Sequence, residues 1–140
     1  MCSSDLVKTI TQPEISAVSE HAFMYINAPY LWGGRSPFGL DCSGFTQIVF
    51  KLCGIKLLRD ANQQAGQGKR VNSLEDATEG DLAFFQNDEK KIVHVGIILN
   101  NGKIIHASGK VRIDKLDDLG IFNEGTGKHS HSLAEIRRIR

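Results

Sequence analysis

The chain has 140 residues, 41% hydrophobic and 24% charged, which is the size and composition of one globular domain with one core. Disorder is excluded, and so is a helical membrane span, because no apolar run approaches the roughly 20 residues that such a helix needs. Seventeen Lys and Arg against sixteen Asp and Glu leave a formal charge of +1, too balanced for a protein that binds nucleic acid by neutralising phosphates.

In chain order, Thr11 and Glu14 have capping-box spacing, and Ile15, Val18, Ala22 and Ile26 follow a helical period, so a first helix is predicted over about 12–26. Residues 29–39 hold three Gly and two Pro and read as a structured loop. From Ser43, the stripe Phe45, Ile48, Val49 and Leu52 predicts a second helix ending at Gly54, with Cys42 at its N-terminus. A short helical stretch over 60–65 and a polar turn region reaching Thr78 follow. Leu82, Phe84 and Phe85 then predict a strand. Residues 94–99 and 103–107 flank Asn100-Asn101-Gly102 and read as a hairpin, with a further strand over 111–116. Residues 120–131 read as a loop and 133–140 as a last strand, where Arg137, Arg138 and Arg140 form the wet face beside Ile136 and Ile139. Helices first and strands after them predict an α+β fold rather than alternating βαβ units.

Cys2, Cys42 and Cys53 are too few, and odd in number, for a disulfide scaffold. On one helix, Cys42 and Cys53 would stand roughly 16 Å apart, beyond disulfide reach. Cys53 falls near the end of an apolar stripe and reads as a buried structural residue. Cys42 reads as a nucleophile, since the N–H groups and positive dipole end of a helix N-terminus favour a thiolate.

Such a thiol needs a base, and His94 and His106 are the histidines set in predicted strand. A two-residue turn would send them to opposite faces. A three-residue turn with Gly102 left-handed pairs Leu99 with Lys103 and sets His106 opposite Gly96, so that the two rings share a face with room between them. In that register Val95, Ile97 and Leu99 point into the core while the histidines face the Cys-bearing helix. The expected order of action is Cys42 as nucleophile, His94 as base and His106 fixing the His94 tautomer. His21, His129 and His131 have no comparable support. No Cys or acidic residue stands at ligand spacing from His129 and His131, so no metal site and no cofactor is expected.

Five ordered motifs, Tyr30-Leu31-Trp32-Gly33-Gly34, Asp41-Cys42-Ser43-Gly44-Phe45, Gly80-Asp81-Leu82 with Phe84-Phe85, His94-Val95-Gly96-Ile97 and Ile105-His106-Ala107-Ser108, resemble the NlpC-type (NlpC and p-sixty) family of bacterial cell-wall cysteine peptidases. The resemblance covers about 12–140, read as the catalytic domain, after a flexible segment over 1–11. It implies a papain-like α+β fold, with the Cys-bearing helix packed on a C-terminal antiparallel sheet. It also implies Cys42, His94 and His106 as catalytic residues and Tyr30 beside the thiol as an oxyanion or positioning group. Asp41, Ser43, Asp60, Trp32 and Arg59 would line the substrate side, a carboxylate there holding the N-terminal amine of a short peptide.

The implied reaction is thioester-mediated hydrolysis of peptidoglycan stem peptides at the γ-D-glutamyl to L-diamino acid (meso-diaminopimelate) bond. Peptidoglycan or its stem peptides would be the partner. The alternatives are an acyltransferase or amidase of the same fold and a catalytically silent wall-binding module. Glu79 stands where many members have Pro before Gly-Asp, and Ala61 where some have Ser after this Asp, which bears on the amine pocket. Relatives often carry a preceding SH3-like domain, and its absence from this chain predicts an open cleft. No signal peptide is legible in the first ten residues. Cys2 directly after Met1 reads either as the lipid-bearing residue of a processed lipoprotein or as an accident of a disordered terminus. The cell envelope, as a periplasmic or outer-membrane lipoprotein or a secreted protein, is the expected location.

Overall fold

The computed structural model describes residues 18–23, 35–36, 39–100, 102–108 and 110–139. Of the predicted first helix, α1 (Val18–Phe23) falls within them, with Val18 and Ala22 buried as the periodicity requires. The rest of that helix, Cys2, Tyr30 and Trp32 lie outside the described residues, as does most of the predicted loop over 29–39. Its last part is a small ladder rather than loop: β1 (Arg35–Ser36) pairs with β2 (Gly39–Leu40), Arg35 opposite Leu40.

The second helix, α2 (Cys42–Leu52), begins where the sequence places it. Asp41 is its N-cap, accepting the Gly44 N–H at 2.6 Å, a bond that satisfies one orphan donor of the first turn and contributes about 1 kcal/mol. It ends at Gly54, whose φ of +85° only glycine takes at no cost, with the Gly54 and Ile55 N–H groups returned to the Lys51 and Phe50 carbonyls. The short α3 (Ala61–Gln64) follows with Asp60 as N-cap. The buried Gln64 amide ties it to the start of α2, donating to the Ser43 and Leu58 carbonyls and accepting from the Thr46 hydroxyl at 2.8 Å.

The remaining strands are β3 (Lys69–Val71), β4 (Leu82–Gln86), β5 (Ile92–Leu99), β6 (Lys103–Ser108), β7 (Lys110–Asp117), β8 (Gly120–Asn123) and β9 (Lys128–Arg138). All pair antiparallel in the order β3-β9-β4-β5-β6-β7-β8, and β9 also pairs with β8. The sheet therefore closes into a six-stranded ring, β4-β5-β6-β7-β8-β9, with β3 on the second half of β9. The sequence reading left β3 inside a polar turn region and treated β8 and the first half of β9 as loop. Instead β3 is an edge strand held by the end of β9, and β8 and the first half of β9 close the ring, where strands with neighbours on both sides need no apolar alternation of their own.

A closed ring has two buried surfaces. Outside it, Phe45, Val49 and Cys53 pack with Leu82, Phe84, Val95, Ile97, Leu99, Ile105 and Ala107, and Leu57 joins them from below α2. Inside it, Ala83, Phe85, Ile98, Ile104, Leu116, Ile121 and Ile136 form a second cluster. The predicted hairpin register is correct: Leu99 opposes Lys103, Gly96 opposes His106, and Gly102 is left-handed at φ +70°. The predicted facing is not. Side chains alternate along β5, so Val95, Ile97 and Leu99 face α2 while His94, Gly96 and Ile98 point into the ring. Gly96 is needed there, since a Cβ would stand 2.7 Å from Ile104 Cδ1 and 2.9 Å from His106 Cβ.

Candidate active site

Cys42 is the first residue of α2, buried, and its Sγ lies 3.9 Å from the Val93 carbonyl oxygen, beside His94 in β5. The thiol thus rests on the strand that carries the expected base, although the histidine rings belong to the inner surface of the ring. Burial pushes the Cys42 thiol above its ordinary value, and Asp41 adds to the shift; the backbone amides of Val95, Ser43 and Cys42 pull the other way and do not prevail. A thiolate waiting on the helix dipole is therefore not the resting state. The thiol is protonated at neutral pH.

His94 is almost wholly buried, and its Nε2 lies 2.8 Å from His106 Nδ1. Burial, then the neighbouring His131 and His106, hold His94 well below the ordinary imidazole range, so the ring is neutral and able to accept a proton. His106 is buried in turn, and its Nε2 lies 2.8 Å from Asp114 Oδ2, with Arg112 Nε 2.9 Å from the same oxygen. A third histidine completes the cluster. His131 of β9 stacks on His94 with centroids 4.1 Å apart and planes 23° from parallel, while Phe85 closes the other side with its centroid 5.7 Å from His94. Burial and His106 lower His131 to about 4 against the opposing pull of Asp114, so it is neutral at pH 7.

His131 and Asp114 were invisible to sequence reasoning. The segment Lys128-His129-Ser130-His131-Ser132 has no apolar residue to mark a strand, and Asp114 sits in a charged run. A signal did exist: Arg112, Asp114 and Leu116 alternate with Val111 and Ile113, which places the acid on one face.

Arg59 and Asp41, expected on the substrate side, are joined to each other. Arg59 Nη2 meets Asp41 Oδ2 at 2.8 Å, and Nη1 donates to Asp41 Oδ1 at 3.3 Å and to the Ser43 hydroxyl at 3.0 Å. Asp41, with Gly44 N–H as well, is a clamp on the helix start rather than an open carboxylate. Asp60 is exposed one residue beyond Arg59, its backbone N–H taken by Gln63 Oε1. Asp41→Asn keeps an acceptor for the Gly44 amide, removes the anion that raises the thiol and leaves Arg59 as an uncompensated cation. The Cys42 pKa is expected to fall, read as a shift of the alkylation rate profile of Cys42 to lower pH, with helix stability changed by less than about 0.5 kcal/mol.

The sequence profile of the NlpC/P60 family matches residues 27–127 of the chain. A γ-D-glutamyl-L-lysine dipeptidyl-peptidase of Bacillus subtilis (strain 168) is 48% identical over 85 residues, 59% of this chain and 28% of the relative. The bifunctional muramidase/DL-endopeptidase CwlT of the same organism is 43% identical over 94 residues, again 28% of its own length. The crystal structure of an NlpC/P60 family protein from Bacillus cereus ATCC 10987 superposes with a TM-score of 0.78 at 32% identity, covering 92% of this chain and 41% of that one. The chain thus spans under a third of these two curated relatives, and the matched region carries the thiol-bearing helix and the paired histidines. The chain belongs to the NlpC/P60 family.

Proposed function

We propose that the chain is a cysteine peptidase that hydrolyses peptidoglycan stem peptides at the γ-D-glutamyl to diamino acid bond through a thioester on Cys42, with His94 as base and His106 as its orienting partner. The observation that carries this reading is a buried thiol at a helix N-terminus, resting on the strand of a neutral, hydrogen-bonded His94-His106 pair. A cysteine helix against a histidine-bearing antiparallel sheet supports a papain-like reading of these parts. The bond is supported by the relatives named for γ-D-glutamyl-L-lysine cleavage and DL-endopeptidase action.

With His94 Nε2 engaged by His106, Nδ1 takes the Cys42 proton as Sγ attacks the carbonyl carbon. The oxyanion forms against the N–H groups at the start of α2, with Tyr30 as a further donor. Collapse expels the diamino acid amine, which leaves with the proton from His94, and a thioester of the γ-D-glutamyl carbonyl remains. Water, deprotonated by the same ring, attacks the thioester carbonyl and releases the acid and the thiol. Ser43 and Asp60 line the substrate side. Arg59 neutralises Asp41, so Asp60 is the carboxylate left to meet an ammonium group.

The test is product analysis after incubation with L-Ala-γ-D-Glu-diaminopimelate, with its L-Lys counterpart and with intact peptidoglycan, beside Cys42→Ala. Cleavage after the glutamyl residue, lost by at least about 10⁴-fold in the variant, is the expected result. Cleavage of none of the three shifts the reading to acyl transfer or to a binding role.

A further inference from the structure

The chain of hydrogen bonds that begins at His94 does not stop at His106. In the β6-β7 pairing His106 faces Arg112 and Ile104 faces Asp114, so the acid lies diagonally across from the His106 ring inside the barrel. Its side chain is 8% exposed, and a buried carboxylate is tolerated only when its charge and lone pairs are met. The charge is met by Arg112, whose Nε stands 2.9 Å from Oδ2 as an ion pair and whose Nη2 donates to Oδ1 at 3.2 Å, and Oδ2 is met by His106 Nε2 at 2.8 Å. Burial alone would raise the acid, but the bond from His106 and the charges of His106 and Arg112 outweigh it and leave Asp114 below the ordinary carboxylate range.

An ionised carboxylate has no proton to give. His106 Nε2 must therefore carry the hydrogen, which leaves Nδ1 as an acceptor. His94 Nε2 must then donate across the 2.8 Å contact, which leaves His94 Nδ1 bare. Without the acid, the opposite assignment satisfies the two rings equally well, with His106 Nδ1 donating to His94 Nε2 and the hydrogen of His94 on Nδ1. That state has no lone pair for the thiol proton. His131 does not choose between them, because it stacks on the ring face and makes no in-plane bond with His94.

We propose that Asp114, clamped by Arg112, is a positioning residue that sets the direction of the His106-His94 hydrogen-bond chain and so keeps His94 in the tautomer that can deprotonate Cys42. The proposal rests on the thiol-imidazole reading above and adds a member to it. Isosteric Asp114→Asn provides a sharp case. Arg112 Nη2 donates to Oδ1 while His106 Nε2 faces Oδ2, so the amide oxygen keeps the Nη2 bond and Nδ2 takes the place of Oδ2 as a donor toward His106, which reverses the chain.

The experiment uses the full chain and reads Cys42 alone, by mass spectrometry of the peptide alkylated with iodoacetamide across pH, together with ¹⁵N imidazole shifts of His94. The titratable groups facing His94 inside the ring are His106 from β6 and His131 from β9, with Asp114 and Arg112 of β7 behind His106, while Cys42 and Asp41 of α2 lie on the outer side of β5. None but Asp114 is altered in this comparison. Asp114→Asn is expected to move the His94 hydrogen to Nδ1 and to slow alkylation at neutral pH by about 100-fold, less than the roughly 10⁴-fold known for a wrong tautomer at a directly bonded acid because a second ring intervenes. Asp114→Glu, able to reach the same nitrogen, is expected to restore most of the rate. A wild-type tautomer and alkylation profile in folded Asp114→Asn and Asp114→Ala would overturn the proposal. Equal alkylation of the wild type and His94→Gln would instead remove the thiol-imidazole pair on which it stands.

Discussion

His94→Gln is expected to slow peptide hydrolysis by on the order of 10⁴-fold while the domain stays folded. Glutamine presents an N–H to His106 Nδ1 and so preserves the inner hydrogen bond, but it has no lone pair basic enough to take a thiol proton. Because burial and Asp41 keep Cys42 protonated, no preformed thiolate is available to work without the base. Steady-state rates on the tripeptide, beside circular dichroism, check this. A loss below about tenfold would mean that the thiol finds its base elsewhere.

The same substitution has a second effect, on the pH dependence of stability. His94 and His131 are both held below their ordinary 6.5, His131 to about 4. As the pH falls below 6.5, the unfolded chain takes up protons that the folded barrel refuses, so the unfolded state binds more protons and stability declines with falling pH. The window opens near 6.5 and, for His131, closes near 4. Urea melts between pH 7.5 and 4 are expected to show this decline in the wild type and a shallower one in His94→Gln. A parallel pair of curves would show that His94 titrates normally.

Gly120→Ala is expected to cost about 3–5 kcal/mol. Gly120 has φ +143°, and a Cβ there would overlap the His131 carbonyl oxygen and stand 2.8 Å from its carbon. These are backbone atoms of the strand that closes the ring, so neither can step aside without opening β8 from β9. Gly127→Ala, at φ +71° with nothing within 4 Å, isolates the conformational part and is expected to cost about 1 kcal/mol. Thermal or urea melts of the two variants side by side measure the difference, and equal losses would show that the β8-β9 closure tolerates the overlap.

Sequence and structure agree where local rules decide. The apolar stripe of α2 with Gly54 at its end fixed the place of Cys42. Gly96 and Gly102 fixed the hairpin register, one by leaving space and the other by its left-handed turn. What escaped was whatever depends on closure. A single-layer sheet has one covered face, and on that assumption the histidines had to look toward the helix. In a closed ring the other face is interior too, and His94 and His106 belong to it with Phe85 and Ile104. His131 and Asp114 followed the same rule: polar residues in a strand without apolar neighbours look like loop until the opposite wall of the barrel is known. Arg59 and Asp41 were legible as neighbours of the thiol but not as partners of each other, since residues 18 positions apart meet only through the turn between α2 and α3.

Strand β9 pairs with three others, and two of them lie far back in the chain: Arg138 opposes Lys69, and Leu133 opposes Phe85. Closing loops of that length is entropically slow, and no shorter contact can stand in for them. During synthesis, the thiol helix and the His94-His106 hairpin emerge well before residue 138 does. Until then the histidines lack the stacked wall of His131 and the ring has an open edge at β4 and β8. The histidine cluster therefore assembles late and all at once, so truncation within β9 is a kinetic lesion as much as a thermodynamic one, exposing a sticky sheet edge before the ring closes.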